Sequence, residues 1–378
     1  MTRKSALAVL LLMLLPCGCR RHDFPQYPAN YREFAYISNG ADNTVTVLDM
    51  VNLRQDRVLA VGLAPVAVAV TPTTHEVYVV NSGSGTVSVI DAEKNAVAAT
   101  IPVHRKPSSI EVDAKGERAY VANSESNTVS VLDLKQHREI AVIGVGEGPG
   151  LARLSPDGQM LVVTNRKGNS VSLVDLNADA SKDQVRSVIP GCPDATDAVV
   201  LPDSGKAFVA CSGSNFVLSI ALKNQDHADR LEARLKVGDA PVHLALKPDG
   251  GEIFVSNSKS STVSEIATGT SEVGGATRVG TLPVRGIVSA DNTLLYVSNF
   301  DSGTVSVYSI DDGKVISTIR SGDGPGALAF NAKGNLLLVA NAQSGEVTLL
   351  RTSTQTLFTL LPSGHQPNAI AVKAFLAQ

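Results

Sequence analysis

One short motif recurs along this chain at a fixed interval, and that interval limits the fold more than any other feature. The segments AYISN, VYVVN, AYVAN, LVVTN, AFVAC, IFVSN, LYVSN and LLVAN end at Asn39, Asn81, Asn123, Asn165, Cys211, Asn257, Asn299 and Asn341. Their spacing is 42 residues five times and 46 twice. A period of this size means one supersecondary unit repeated, each copy burying its apolar face against its neighbours. The two longer intervals hold the polar stretches DLNADASKDQ and KNQDHADRLE, which are expected as surface loops.

Each unit carries four short runs rich in Val, Ile and Ala. The first follows a Pro, as in PVAVAV, PSSIEV, PGALAF and PNAIAV, and a turn such as SPDGQ or NAKGN leads to the run ending in Asn. TVSVID, TVSVLD and SVSLVD form the third run, with Val at alternate places, the period of a strand. RVLAV, AVAATI and KVISTI form the fourth. Gly, Asn and Asp in the connections suit tight turns, and no run has helical period. The fold class is therefore all-β: an eight-bladed β-propeller of four-stranded antiparallel blades. The first unit lacks its Pro-led run and the chain ends on one, Pro367 to Val372, so the C-terminal strand is expected to complete the blade begun at Ala35 and close the ring.

The [FYL]-V-x-N strand end, the T-V-S-V run and the G-x-x-P loop resemble the YVTN family of propeller repeats and the YncE-like proteins within it. The resemblance covers about Ala35 to Lys373. It implies an envelope protein that binds other molecules. Some related propellers open lactones with carboxylates around a central metal, and some YncE-like proteins hold single-stranded DNA. WD40 and quinoprotein propellers rely on recurring Trp, and this chain has none.

The N-terminus reads as an export signal. Arg3 and Lys4 precede an apolar run, Ala6 to Leu15, too short to span a bilayer, which needs roughly 20 residues. LLPCGC follows and resembles the lipobox of bacterial lipoproteins, with Cys19 the better lipid acceptor and Cys17 the alternative. Residues 1–19 are thus expected as signal peptide, 20–33 as a polar tether and 34–378 as the propeller. The product would sit in the periplasm or at the cell surface, held to the membrane by lipid alone.

Within a blade, the loop after the Asn and the G-x-x-P loop are expected at one rim. Nineteen residues before each Asn or Cys stand Gly62, His104, Gly146, Cys192, Gly238, Gly280 and Gly322, with Gly364 serving the closing blade. Gly there suggests a left-handed backbone. The repeated Asn residues are read as structural, each amide bonding the backbone of the adjacent loop. Ligand contacts are expected where the repeats differ on this rim: Arg105, Lys106, Glu147, Arg166, Lys167, Asp239, Phe300, Asp301, Asp323 and His365.

Catalytic signatures are missing. There is no Cys-x-x-Cys-His, H-E-x-x-H, P-loop or G-x-S-x-G, and the seven His show no metal spacing. No catalytic residue, metal or cofactor is expected. The 33 basic and 36 acidic residues nearly cancel, which disfavours nucleic acid. The function expected is that of a monomeric binding or scaffold protein, its partner a protein or envelope polymer, with a lactonase-like hydrolase or a single-stranded DNA binder as alternatives.

One blade departs from the pattern at two matched positions. Cys211 replaces the Asn and Cys192 replaces the glycine nineteen residues before it. A disulfide between them is expected in an exported protein.

Overall fold

The computed structural model describes residues 27–222 and 228–377. Cys17, Cys19 and the preceding signal lie outside the described residues, as does His227 of the second polar stretch. Thirty-two strands form eight four-stranded antiparallel sheets arranged as a propeller. Blade 1 comprises residues 31–60 and, as its inner strand, Pro367–Leu376. Blades 2 to 8 follow in order: residues 65–102, 107–144, 149–190, 195–236, 241–278, 283–320 and 325–362.

Alternation explains the packing. The second and third strands of each blade are buried on both faces, as in Glu76–Asn81 and Thr86–Asp91, because each sheet is covered by the blade on either side. Apolar clusters sit between blades: Val162, Val171 and Leu173 of blade 4, for example, meet Val209, Leu218 and Ile220 of blade 5. Each buried Val or Leu contributes about 1.5–3 kcal/mol. The outermost strands are mostly exposed, as in Arg54–Ala60.

Ring closure follows the expected frame shift. Tyr31–Asn39 pairs with Pro367–Leu376 from Tyr31 opposite Leu376 to Asn39 opposite Pro367. The strand starts at Tyr31, so the expected tether ends before its anticipated limit at residue 33. Glu33 is buried in the blade, and its Oε1 accepts the Ala332 N–H at 2.6 Å.

The first polar stretch forms a loop with one turn of 3-10 helix, Ala180–Lys182. The Arg118 guanidinium of blade 3 holds it through the carbonyls of Asn177 and Ala178. Arg186, at the foot of that loop, bonds Asp175 and Asp229, so the two insertions brace each other.

Two local expectations are corrected. The repeated Asn is buried, and its amide bonds side chains of its own sheet rather than the loop backbone. Asn81 Nδ2 donates to Thr86 Oγ1 at 3.1 Å and Ser88 Oγ at 3.0 Å, and Asn123, Asn165, Asn257 and Asn299 repeat the pattern. The Oδ1 atoms of these five are buried without a partner among the described residues. Among the described residues, the amide reaches the loop backbone in the closing blade alone, Asn39 Oδ1 accepting from Gly364 N at 3.1 Å.

The glycine that faces the Asn in six blades is not left-handed. Close approach selects it: a Cβ on Gly62 would lie 2.7 Å from Asn81 Cγ. The left-handed residue stands two places later, directly before the Pro or its equivalent: Ala64, Lys106, Gly148, Asp194, Ala240, Leu282, Gly324 and Gln366 have φ between 49° and 67°. Side-chain carbonyls of the preceding blade fix several of these turns, as Asn43 Oδ1 accepts from Ala64 N at 2.8 Å and Asn215 Oδ1 from Ala240 N at 3.0 Å.

Candidate functional site: the loop rim and the central channel

Both sets of loops lie at one rim, where backbone bonds join them. Gly83 N donates to Leu63 O at 2.8 Å, Gly168 N to Glu147 O at 2.9 Å and Phe300 N to Leu282 O at 2.9 Å. Several residues expected to meet a ligand are already engaged there. Arg166 Nε bonds Asp194 Oδ1 at 2.8 Å, Arg105 Nη2 donates to the Glu125 carbonyl at 3.1 Å, and Asp239 Oδ1 accepts from Asn215 Nδ2 at 2.9 Å. His365 Nδ1 meets Asp42 Oδ1 at 2.9 Å, and the His365 backbone N–H helps hold the Asp42 carboxyl below its ordinary value. Lys106, Glu147, Lys167, Asp301 and Asp323 are exposed and make no side-chain hydrogen bond or ion pair among the described residues; half-buried Phe300 stands with them. These groups are spread round the ring rather than gathered at one point.

Below this rim the inner strands enclose a channel cavity of about 790 Å3. Its charges fall on one arc: five consecutive blades place Glu111, Arg153, Asp197, His243 and Arg285 in the lining, among aliphatic neighbours such as Val242 and Val284, and the remaining three blades add Val66, Val68, Leu328 and Ile370 without a charge. The strand pattern explains the depth of each. Asp197, His243 and Arg285 stand two residues after Ala195, Pro241 and Pro283, at the start of their strands and near the loop rim. Glu111 and Arg153 stand four after Pro107 and Pro149, one layer deeper.

The charged wall is wired together blade to blade. Arg153 Nη1 bonds Glu111 Oε2 at 2.9 Å and Oε1 at 3.2 Å, while its Nε donates to the Ala198 carbonyl at 3.1 Å. Arg153 Nη2 lies 3.9 Å from Asp197 Oδ1 and His243 Nε2 lies 3.6 Å from Asp197 Oδ2. Asp197 also accepts the N–H groups of Ala198 and Leu244, each at 2.9 Å. His243 Nδ1 accepts the Gly286 N–H at 3.2 Å, which leaves the proton of the neutral ring on Nε2, facing Asp197. Burial pushes the His243 imidazole down to about 4; Asp197 opposes that shift, and Arg285 and Arg153 add to it. Burial also works against the Arg153 charge, but Glu111 and Asp197 outweigh it and hold its proton more tightly than usual.

The small polar groups of the channel are committed as well. Ser108 Oγ donates to Gly150 O at 2.9 Å, Thr196 Oγ1 to Pro241 O at 3.1 Å, and Asn368 bonds Ser38 Oγ and Pro65 O. Each stitches one inner strand to a neighbour. No hydroxyl bonds the histidine, so the channel holds no activated nucleophile among the described residues. Nor do those residues include a group of three or more His, Cys, Asp or Glu placed to hold a metal ion.

Reading the sequence missed the channel wall. Its signal was the third and fifth places of the Pro-led run, where PSSIEV, PGLARL, ATDAVV, PVHLAL and PVRGIV carry polar or charged residues and PVAVAV and PGALAF do not.

Fold and channel define an eight-bladed propeller with a half-polar central cavity. The chain belongs to the lactonase family of seven-bladed β-propellers, whose family model matches residues 99–364. It carries one blade more than that description. No curated protein matches it. Among solved structures it is similar to hydrazine synthase of Kuenenia stuttgartiensis, at 24% identity over 72% of this chain and 91% of that one, with a TM-score of 0.60. It is similar to the dihydro-heme d1 dehydrogenase NirN in complex with DHE, at 14% identity over 92% and 76%, TM-score 0.76. A putative 6-phosphogluconolactonase from Bacteroides uniformis matches at 15% over 82% and 98%, TM-score 0.64. At these identities the likeness is one of fold.

Proposed function

We propose that this protein is a non-enzymatic binding propeller of the bacterial envelope, anchored through lipid on Cys19 and approached by its partner from the loop rim. One observation carries the reading: the groups that could do acid–base or nucleophilic work in the channel are spent on structural bonds, while unpaired charges stand on a rigid rim. The YVTN-like repeats support an envelope role, and the partner suited to scattered rim charges is a protein or an envelope polymer. Lactone hydrolysis is the second reading, favoured by family membership and by the 6-phosphogluconolactonase-like fold. Single-stranded DNA is poorly suited, since a stacking groove needs several exposed aromatics and the rim positions singled out include only Phe300.

The test pairs capture with turnover. The mature domain is immobilised against envelope extract, with Lys106→Ala/Lys167→Ala on the rim and Asp157→Ala/Lys333→Ala on the opposite face. The rim pair should lose the captured partner and the opposite pair should keep it. Hydrolysis of 6-phosphogluconolactone above the uncatalysed rate, with or without added divalent metal, would overturn the non-enzymatic reading.

A further inference from the structure

Arg285 differs from every other charged group of the channel wall. The carboxylate oxygens there already accept: both of Glu111 from Arg153, and both of Asp197 from backbone N–H groups, with Arg153 and His243 alongside. Arg153 is satisfied by Glu111 and the Ala198 carbonyl, and His243 by Gly286 and Asp197. The Arg285 guanidinium makes no hydrogen bond and no ion pair among the described residues, although it lines the cavity beside His243. A guanidinium has five N–H donors in a planar fork that matches a carboxylate or phosphate. Arg285 is exposed to solvent within the cavity, so the fork is open to an incoming anion.

The rest of the cavity says what accompanies the anion. The blades without a channel charge contribute Val66, Val68, Leu328 and Ile370, aliphatic neighbours such as Val242 and Val284 stand beside the charges, and the cavity of about 790 Å3 is of the size that takes small organic ligands. An open cation and these aliphatic side chains suit a molecule with an acidic group at one end and an apolar body. Bare inorganic anions would leave the aliphatic wall uncovered.

We infer that the central channel is a binding site for an amphipathic organic anion, its acidic group held by Arg285 and its apolar body against the aliphatic wall. The ligand enters from the loop rim, because Arg285 stands at the start of its strand. His243 stands beside Arg285 with its Nε2 3.6 Å from Asp197, whose carboxylate is already held by the Ala198 and Leu244 N–H groups. This inference rests on the reading of the propeller as a binding protein and extends it to a second site within the ring.

Calorimetric titration of the mature domain with 2-naphthoate, 2-naphthamide and inorganic phosphate tests it. Naphthoate should bind saturably, one per chain, and about tenfold or more tightly than the isosteric neutral amide, as expected for a charge-assisted fork. Phosphate alone should bind more weakly than naphthoate. Arg285→Met should abolish the preference for the acid without lowering the melting temperature, and Arg285→Lys should keep part of it. Failure of naphthoate to bind saturably, phosphate binding as tight as naphthoate, or an acid preference that survives Arg285→Met overturns the inference. Lactone turnover would refute the non-enzymatic reading and leave the naphthoate result standing, so the two failures are distinct.

Discussion

Cys192 and Cys211 are joined by a disulfide with their Cα atoms 4.9 Å apart, at the positions where other blades set a glycine against an asparagine. The partners of that asparagine have changed with it. In six blades the amide bonds hydroxyls five and seven residues on; after Cys211 those places hold Phe216 and Leu218, and Leu218 packs in the same cluster as both cysteines. Removing the bond by Cys192→Ser/Cys211→Ser should cost about 3 kcal/mol by the loop-closure argument. Restoring the common pair, Cys192→Gly/Cys211→Asn, should not recover it, because a buried amide would lack both hydroxyl acceptors. Adding Phe216→Thr and Leu218→Ser should then raise the denaturant midpoint again, and failure to do so would break the link between bond and blade.

Gly364 and Gln366, two residues apart, should respond to substitution with opposite signs. A Cβ on Gly364 would meet Asn39 Cγ at 2.7 Å and Asp42 Oδ2 at 2.6 Å, so Gly364→Ala should destabilise by about 1–3 kcal/mol. Gln366 is exposed at φ 55°, where a side chain is strained, so Gln366→Gly should stabilise by about 0.5–1 kcal/mol. Thermal melts of the two variants check the signs.

Acid should find His243. Its folded value of about 4 lies below the ordinary 6.5, so on acidification the unfolded chain takes up this proton first. Stability from this group is complete above about 6.5 and is lost as pH falls toward 4, by up to about 3 kcal/mol. His243→Gln should flatten that part of the pH profile. Asp197, Arg153 and Arg285 face the ring, so the comparison is made between wild type and variant across the same pH series.

Anchoring is read by fractionation. Cys19→Ser should leave the protein uncleaved or soluble, whereas Cys17→Ser should remain lipid-modified in the membrane fraction. Recovery of wild-type mature protein in the soluble periplasmic fraction would sink the anchor.

The propeller was legible in the sequence because its information is repeated. Seven strands ending in Asn and one ending in Cys fix the period, and a displaced Pro-led strand at Pro367 discloses the closure. Cys192 and Cys211 could be paired because each broke the same repeat at a matched position. The channel was illegible for the converse reason: Glu111, Arg153, Asp197, His243 and Arg285 each occur once, and only the ring brings them to one wall. The glycine and asparagine roles were misread locally. A glycine chosen for close approach and one chosen for a left-handed turn look alike in one dimension, and Gly62 and Gly148 show one of each.

The pairing of Tyr31 with Leu376 also decides which way the disc faces. The strand Tyr31–Asn39 runs toward the loop rim, so the chain enters the ring on the far side, where Tyr31 lies. Under the proposed lipid anchor, a leash upstream of Tyr31 would hold the propeller on the face away from the loop rim. Any tug on that leash falls on a strand gripped along both edges, by Thr44–Asp49 and by Pro367–Leu376. The load is shared by many hydrogen bonds in shear rather than unzipping them one at a time.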